Sequence, residues 1–95
     1  MKITLVKKIL ADGSPCKKCG EVIEKIEAAN QMQYIDNIVI ANEADKSSEG
    51  MVLAAKYEVS RAPFFIVEQD DGTTEIFTIY FKLVKEVLAP LQESA

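Results

Sequence analysis

The order of strand-like and helix-like segments limits the folds open to this chain more than any other feature. Residues 3–10 are apolar and β-branched with a polar interruption, which predicts a strand. Residues 34–41 predict a second strand, almost wholly apolar at its end, as in a central strand covered on both faces. The segment between them predicts a helix, because apolar residues recur at the i, i+3, i+4 and i+7 positions of one face. These residues are Cys19, Val22, Ile23 and Ile26.

A strand–helix–strand unit joins two parallel strands by a right-handed crossover, so we expect an α/β fold. Residues 51–59 predict a second helix, because they are rich in Ala, Leu and Lys. The Asp70-Asp71-Gly72 sequence, between strand-like residues 64–67 and 73–80, is typical of an antiparallel β-hairpin. An apolar stripe along residues 81–92 predicts a closing helix. The expected fold is a four-stranded mixed sheet in the order βαβαββα, with helices on both faces.

The length of the chain indicates one domain over residues 1–95. A domain of this size can bury a modest core without disulfide staples. Such a core is expected to contain most of the aromatic side chains. The aromatic residues predicted to pack there are Tyr57, Phe64, Phe65, Tyr80 and Phe81.

The charge distribution argues against nucleic acid and membrane lipid as partners. The net charge is -4, and the only adjacent basic pairs are Lys7-Lys8 and Lys17-Lys18. Binding to either partner relies on a more extended cluster of positive charge. No apolar run approaches the ~20 residues of a membrane span, and Lys7-Lys8 interrupts the first apolar run before any signal-peptide cleavage site. We therefore expect a cytoplasmic protein.

The two cysteines, Cys16 and Cys19, form a CxxC motif and are the candidate catalytic residues. Cytoplasmic thiols are kept reduced, so a CxxC there is more often catalytic or metal-binding than structural. The three-residue step places both sulfurs on one side of a helical turn, close enough to bond. Ser14 is a suitable helix cap and Pro15 a suitable first helical residue, which predicts Cys16 in the first turn.

The surroundings of Cys16 are expected to favour its thiolate, which is the nucleophile in thiol–disulfide exchange. The helix N-terminus stabilises an anion, and Lys17 and Lys18 add two cations beside it. The alternative is that both lysines only solvate the start of the helix. Cys16, nearer the tip, is expected to form a mixed disulfide with the substrate. Cys19, one turn deeper, would then release the reduced product.

Two motifs in this order resemble the thioredoxin-fold family. One is SPCKKC at residues 14–19, and the other is VSRAPFFIV at residues 59–67, which resembles the segment that holds the family's cis-proline. The resemblance extends over nearly the whole chain, and the compact size is more similar to glutaredoxins than to thioredoxins. It implies a thioredoxin-like fold and a thiol–disulfide oxidoreductase, with Pro15 before the first cysteine as a further residue that tunes the thiolate.

The same resemblance implies a substrate-binding segment at Arg61, Ala62 and Pro63. Pro63 is the candidate cis-proline, and the backbone of Ala62 would pair with an extended substrate. Arg61 would steer an anionic substrate. The family's buried aspartate before the motif is missing here, which leaves Asp12, water or a lysine to carry the proton of Cys19.

The expected partners are protein or small-molecule disulfides and a thiol reductant or reductase. No resident cofactor or metal is expected, and glutathione is a candidate reductant. Residues 79–82 lack the glycine and acidic motif with which glutaredoxins bind the glutathione carboxylate.

Two other functions stay open on the sequence. A metal or iron–sulfur site would need a dimer or added carboxylates, because two cysteines and no histidine fall short of the usual four ligands. A thioredoxin-fold binding or scaffold module would carry the cysteines without redox turnover, because a fold does not dictate a function.

Overall fold

The computed structural model describes residues 1–94 and shows a mixed α/β fold with the predicted order of elements. The strands are β1 (Lys2–Ile9), β2 (Asn37–Asn42), β3 (Phe64–Glu68) and β4 (Thr74–Phe77). The helices are α1 (Lys17–Ala28), α2 (Glu49–Lys56), α3 (Tyr80–Leu83) and α4 (Ala89–Glu93). A 3₁₀ turn (Met32–Tyr34) precedes β2, and a π-helical segment (Val84–Leu88) joins α3 to α4. We call α3, the π-helical segment and α4 the C-terminal helix.

The four strands form one sheet in the order β2-β1-β3-β4. Strand β1 pairs in parallel with β2 and antiparallel with β3, and β3 pairs antiparallel with β4. The parallel first pair and the hairpin at Asp71 are confirmed. In the hairpin, Gly72 adopts φ +89°, and the Asp71 carboxylate accepts hydrogen bonds from the Thr73 N–H and hydroxyl at 3.0 and 2.7 Å. The positive φ explains the glycine at this position.

Helices cover both faces of the sheet, and each face has its own core. Because side chains alternate along a strand, Leu5 of β1 faces α1 and the C-terminal helix, whereas Val6 faces α2. The first core contains Ile3, Leu5, Val22, Ile26, Phe65, Val67, Phe77, Leu83, Val87 and Leu88. The second contains Val6, Val39, Ala41, Phe64 and Ile66. Helix α2 lies so close to β2 that a Cβ at Gly50 would clash with the backbone nitrogen of Ala41.

The prediction that the second strand is central and covered on both faces is wrong. Strand β2 is an edge of the sheet, because within residues 1–94 it pairs with β1 alone. Ile38 and Ile40 face away from α2 and are 47% and 42% exposed. Residues 34–36 were predicted as strand, but the 3₁₀ turn ends at Tyr34 and β2 begins at Asn37. An apolar run alone does not indicate which of its faces a helix covers.

The predicted packing of Phe81 is also wrong, since its side chain is 74% exposed. Strand β4 ends at Phe77, earlier than predicted, and Tyr80 begins the C-terminal helix. Tyr80 turns inward, where its ring lies 6.5 Å from that of Phe65. The next helical residue points about 100° away around the axis, which leaves Phe81 on the surface. None of the helices within residues 1–94 is long and apolar enough to cross a bilayer.

Candidate dithiol site

Cys16 is the N-cap of α1, two positions earlier in the helix than predicted, because the helix begins at Lys17 rather than at Pro15. Its backbone is extended, with φ -71° and ψ 117°, and the helix begins at Lys17. The predicted cap, Ser14, has another role, because its N–H and hydroxyl donate to the Asp12 carboxylate at 2.9 and 2.6 Å. Pro15 forms an isolated β-bridge with Ile9, which keeps it outside the helix.

The Cys16 sulfur takes the position of a capping side chain. It accepts a hydrogen bond from the N–H of Cys19 at 3.3 Å, as a serine or aspartate oxygen would at this position. A neutral sulfur is a weak acceptor, and a thiolate accepts such a bond better. Cys16 is half-buried, so a substrate can approach its sulfur.

Cys19 has a different environment, although it lies only three residues further on. It is 3% exposed, and its sulfur accepts a hydrogen bond from the backbone N–H of Lys8 at 3.4 Å. Burial, supported by the hydrogen bond with Cys16, raises the pKa of the Cys19 thiol to about 11. Cys19 is therefore a protonated thiol at neutral pH. The two cysteines do not form a disulfide with each other in this structure.

The backbone of Lys8, near the end of β1, holds both cysteines in place. Its carbonyl accepts a hydrogen bond from the Cys16 N–H at 3.3 Å, while its N–H donates to the Cys19 sulfur. The two sulfurs are thus positioned by the strand as well as by the helix. This explains how a short loop between β1 and α1 places a CxxC against the sheet.

The Lys8 side chain is a feature of the site that the sequence analysis missed. Its ammonium lies 3.7 Å from a Glu43 carboxylate oxygen and donates to the Ser60 carbonyl at 3.4 Å. Its positive charge lowers the pKa of Cys19, although burial raises that pKa by more. Asp12 was a candidate to carry the proton of Cys19. It is exposed, and its hydrogen bonds from Ser14 lower the pKa of the Asp12 carboxyl. Lys8 is the lysine whose charge acts on Cys19.

A groove of about 490 Å³ lies on one side of α1, between this helix and the start of the C-terminal helix. Lys18 and Lys25 of α1 line it, together with Arg61 and Pro63. Of the three predicted substrate residues, Arg61 and Pro63 line this groove. Ala62 does not, but it lines a second cavity of about 220 Å³ together with Arg61, Lys8 and Glu43. The peptide bond between Ala62 and Pro63 is cis.

A smaller cavity of about 210 Å³ lies on the opposite side of α1, toward β2. Both cysteines line this cavity with Pro15 and the apolar side chains of Ile23 and Ile40. The first helical residue, Lys17, is exposed. The two cysteines line only this apolar cavity among those described; the cationic groove beside Pro63 meets α1 at Lys18 and has neither cysteine in its lining.

No cluster of three or more His, Cys, Asp or Glu side chains that could hold a metal occurs within residues 1–94. Comparisons of the chain with models of protein families, with curated proteins and with solved structures found no match in any of the three. Because a fold alone does not dictate a function, the function of this protein has to be inferred from the chemistry of the two cysteines.

Proposed function

We propose that this protein is a thiol–disulfide oxidoreductase of thioredoxin-like fold, in which Cys16 and Cys19 alternate between dithiol and disulfide. The observation that carries the proposal is the unequal environment of two neighbouring thiols. Cys16 is accessible at a helix N-terminus, and Cys19 is buried within hydrogen-bonding reach of it. An accessible thiol suits attack on an external disulfide. A buried thiol suits the second step, in which it attacks the mixed disulfide within the same protein. The strand order and the CxxC at the start of α1 support the thioredoxin-like assignment.

In the first step, the Cys16 thiolate attacks one sulfur of the substrate disulfide. A bond forms between these two sulfurs, the substrate S–S bond breaks, and the departing sulfur leaves with the electron pair as a thiolate that solvent protonates. In the second step, Cys19 loses its proton and attacks the Cys16 sulfur. The second substrate thiolate departs, so the substrate disulfide has gained two electrons and the protein dithiol has lost two.

The pKa of about 11 means that Cys19 resists ionisation in the free dithiol. The negative charge of a Cys16 thiolate is one of the causes, and it disappears when Cys16 enters the mixed disulfide. The Lys8 cation still favours the Cys19 thiolate at that stage. This order of events delays the second cysteine until the first has reacted. A thiol reductant or reductase would then restore the dithiol, and glutathione is one candidate.

The proposal is tested by single-turnover reaction of the reduced protein with bis(2-hydroxyethyl) disulfide, followed by intact mass. Wild type should form an internal disulfide and release two equivalents of thiol. Cys19→Ser should stop at a mixed disulfide on Cys16, and Cys16→Ser should form neither species at a comparable rate. Reaction of wild type no faster than a free thiol would contradict the proposal. A fold retained in Cys16→Ser, checked by circular dichroism, separates lost chemistry from lost structure.

A further inference from the structure

The 490 Å³ groove beside Pro63 carries a local positive charge on an acidic protein. Lys18, Lys25 and Arg61 line it, and no aspartate or glutamate among residues 1–94 does. Within residues 1–94, the ion pairs are Met1–Asp70, Lys8–Glu43 and Lys82–Glu86. The three groove cations therefore have no anionic partner in the described chain. Their charge is available to an anionic ligand, and the net charge of -4 makes this a local exception.

The groove also has an apolar component that is unusually exposed. Ile79 and Phe81 line it and are 53% and 74% exposed. Val22 and Val84 contribute further apolar surface from the two flanking helices. Exposed aromatic and branched side chains grouped at one concave surface are typical of an interaction site. A complementary ligand would carry both carboxylates and an apolar side chain.

The polar groups at one end of the groove are already satisfied by each other. The Tyr80 hydroxyl donates to the Gln31 side-chain oxygen, and the Gln31 amide donates to Gln92 at 3.2 Å. Gln92 in turn donates to the Ala29 carbonyl at 2.9 Å. Gln31 is 3% exposed. Because this network joins α1 to the C-terminal helix, it fixes one wall of the groove and leaves ligand recognition to the cations and the apolar side chains.

The groove lies where it could bind part of a substrate whose disulfide reacts with Cys16. Lys18 is the second residue of α1 and follows Cys16 by two positions, so the groove begins at the helical turn that Cys16 caps. We infer that the groove binds an acidic, extended segment of a protein substrate that carries an apolar side chain and flanks the disulfide that Cys16 attacks. This inference rests on the proposed function, and it names the class of substrate.

The test compares three short peptides that differ only in charge. Each contains one cysteine in a mixed disulfide with 2-mercaptoethanol and one phenylalanine, and the flanking residues are all Glu, all Gln or all Lys. The single-turnover rate of reduced protein should be on the order of tenfold higher with the Glu than with the Gln peptide, because each exposed ion pair contributes modestly and three cations act together. The Lys peptide should be slowest. The preference should shrink as NaCl screens the charges.

Matched variants connect that preference with the groove. Lys25→Gln and Arg61→Gln should each lower the ratio of Glu-peptide to Gln-peptide rates about twofold to fivefold. Lys46→Gln is the control, because Lys46 is an exposed cation in the loop before α2 and does not line the groove. Its ratio should equal that of wild type.

The outcomes separate failure of the inference from failure of the proposed function. If bis(2-hydroxyethyl) disulfide reacts at Cys16 but the three peptides react equally, the groove inference is overturned and the oxidoreductase stands. The inference is also overturned if oxidised glutathione reacts faster than the Glu peptide, because the groove would then serve a small carboxylate ligand. If no disulfide reacts at Cys16, the proposed function fails, and the substrate inference fails with it.

Discussion

Cys16 and Cys19 are chemically identical and three residues apart, yet they occupy opposite environments. Cys16 stands where α1 begins, and its sulfur accepts a hydrogen bond from a helix-terminal N–H. Cys19 stands one turn inside, 3% exposed and bonded to the backbone of β1. The residue at which α1 begins therefore determines which thiol caps the helix and which is buried inside it. A shift of the helix start by one residue would remove Cys16 from the capping position.

The largest expected difference between the two thiols is their rate of alkylation. The pKa of Cys19 is about 11, against 9.0 for an ordinary thiol, so at neutral pH its thiolate fraction is roughly a hundredfold lower than in the unfolded chain. Iodoacetamide should modify Cys16 first in the native reduced protein. The Cys19 rate should rise about tenfold per pH unit toward pH 11.

Denaturation should abolish this difference. In guanidinium chloride both cysteines should react at similar rates, because helix and burial are gone. Peptide mapping by mass spectrometry assigns each modification. Equal rates in the native protein would mean that Cys19 is neither buried nor protected, which would remove the basis for dividing the roles.

A second expected effect concerns stability at alkaline pH. The folded-state pKa of Cys19 lies above its unfolded value, so the folded state holds this proton more tightly. The resulting stabilisation is complete below about pH 9 and is lost as the pH rises to about 11. Over that interval the free energy of unfolding of reduced wild type should fall by on the order of 2 kcal/mol more than that of Cys19→Ala.

Urea unfolding of both proteins at pH 8, 9, 10 and 11, values chosen around the interval in which Cys19 titrates, measures this difference. Cys19→Ala removes the titrating group and serves as the control, so only the change with pH is compared. Parallel curves for the two proteins would show that Cys19 has the same pKa in both states.

A third test changes the charges behind Cys19. Lys8→Met removes a cation that favours the Cys19 thiolate, so the second step should slow about threefold to tenfold at neutral pH, since a pKa increase of one unit is tenfold in thiolate and added nucleophilicity offsets part of it. Glu43→Gln should act in the opposite direction, because it removes the anion that partly neutralises Lys8. Loss of the mixed disulfide over time reports the rate.

Two further variants exclude a structural explanation for the effect of Lys8. Lys8→Arg retains the cation and should keep the wild-type rate. Lys2→Met changes a lysine on the same strand and the same face, at the far end of β1, and should have no effect on the second step. The pH at which Cys19 becomes reactive should rise in Lys8→Met alone. Equal slowing in Lys8→Met and Glu43→Gln would contradict a role for charge.

Local sequence patterns predict the helices and strands of this fold better than they predict which faces of those elements are buried. The Asp71-Gly72 turn and the apolar face of α1 are local signals, and the structure contains both. The exposure of β2 could not be read from its own residues. It depends on where α1 crosses the sheet, which leaves Ile38 and Ile40 at an uncovered edge.

The same distinction applies to the site. The CxxC is visible in the sequence because its spacing matches a helical turn. The position of Cys16 as the N-cap was not predicted, because Ser14 is the better capping residue by type. The competing hydrogen bonds of Ser14 with Asp12 decide the outcome. The approach of Lys8 to Cys19 joins residues that only the packing of β1 against α1 brings together.

The smallest expected effect concerns the lysines between the two cysteines, and it has opposite signs for reactivity and stability. Lys17 and Lys18 are exposed cations in the first turn, where the helix dipole disfavours positive charge. Lys17→Gln should therefore raise the free energy of unfolding by about 0.3–1 kcal/mol. The same change should slow alkylation of Cys16 by iodoacetate about twofold, because one exposed cation contributes little.

Iodoacetamide supplies the control for that last effect, because it is neutral. If Lys17 only attracts the anionic reagent, its removal should slow iodoacetate and leave iodoacetamide unchanged. If Lys17 also favours the Cys16 thiolate, both reagents should slow, and the pH midpoint of the reaction should rise. A variant that is more stable and equally reactive with both reagents would show that Lys17 only solvates the helix start, so that the difference between the two cysteines comes from the helix cap and burial alone.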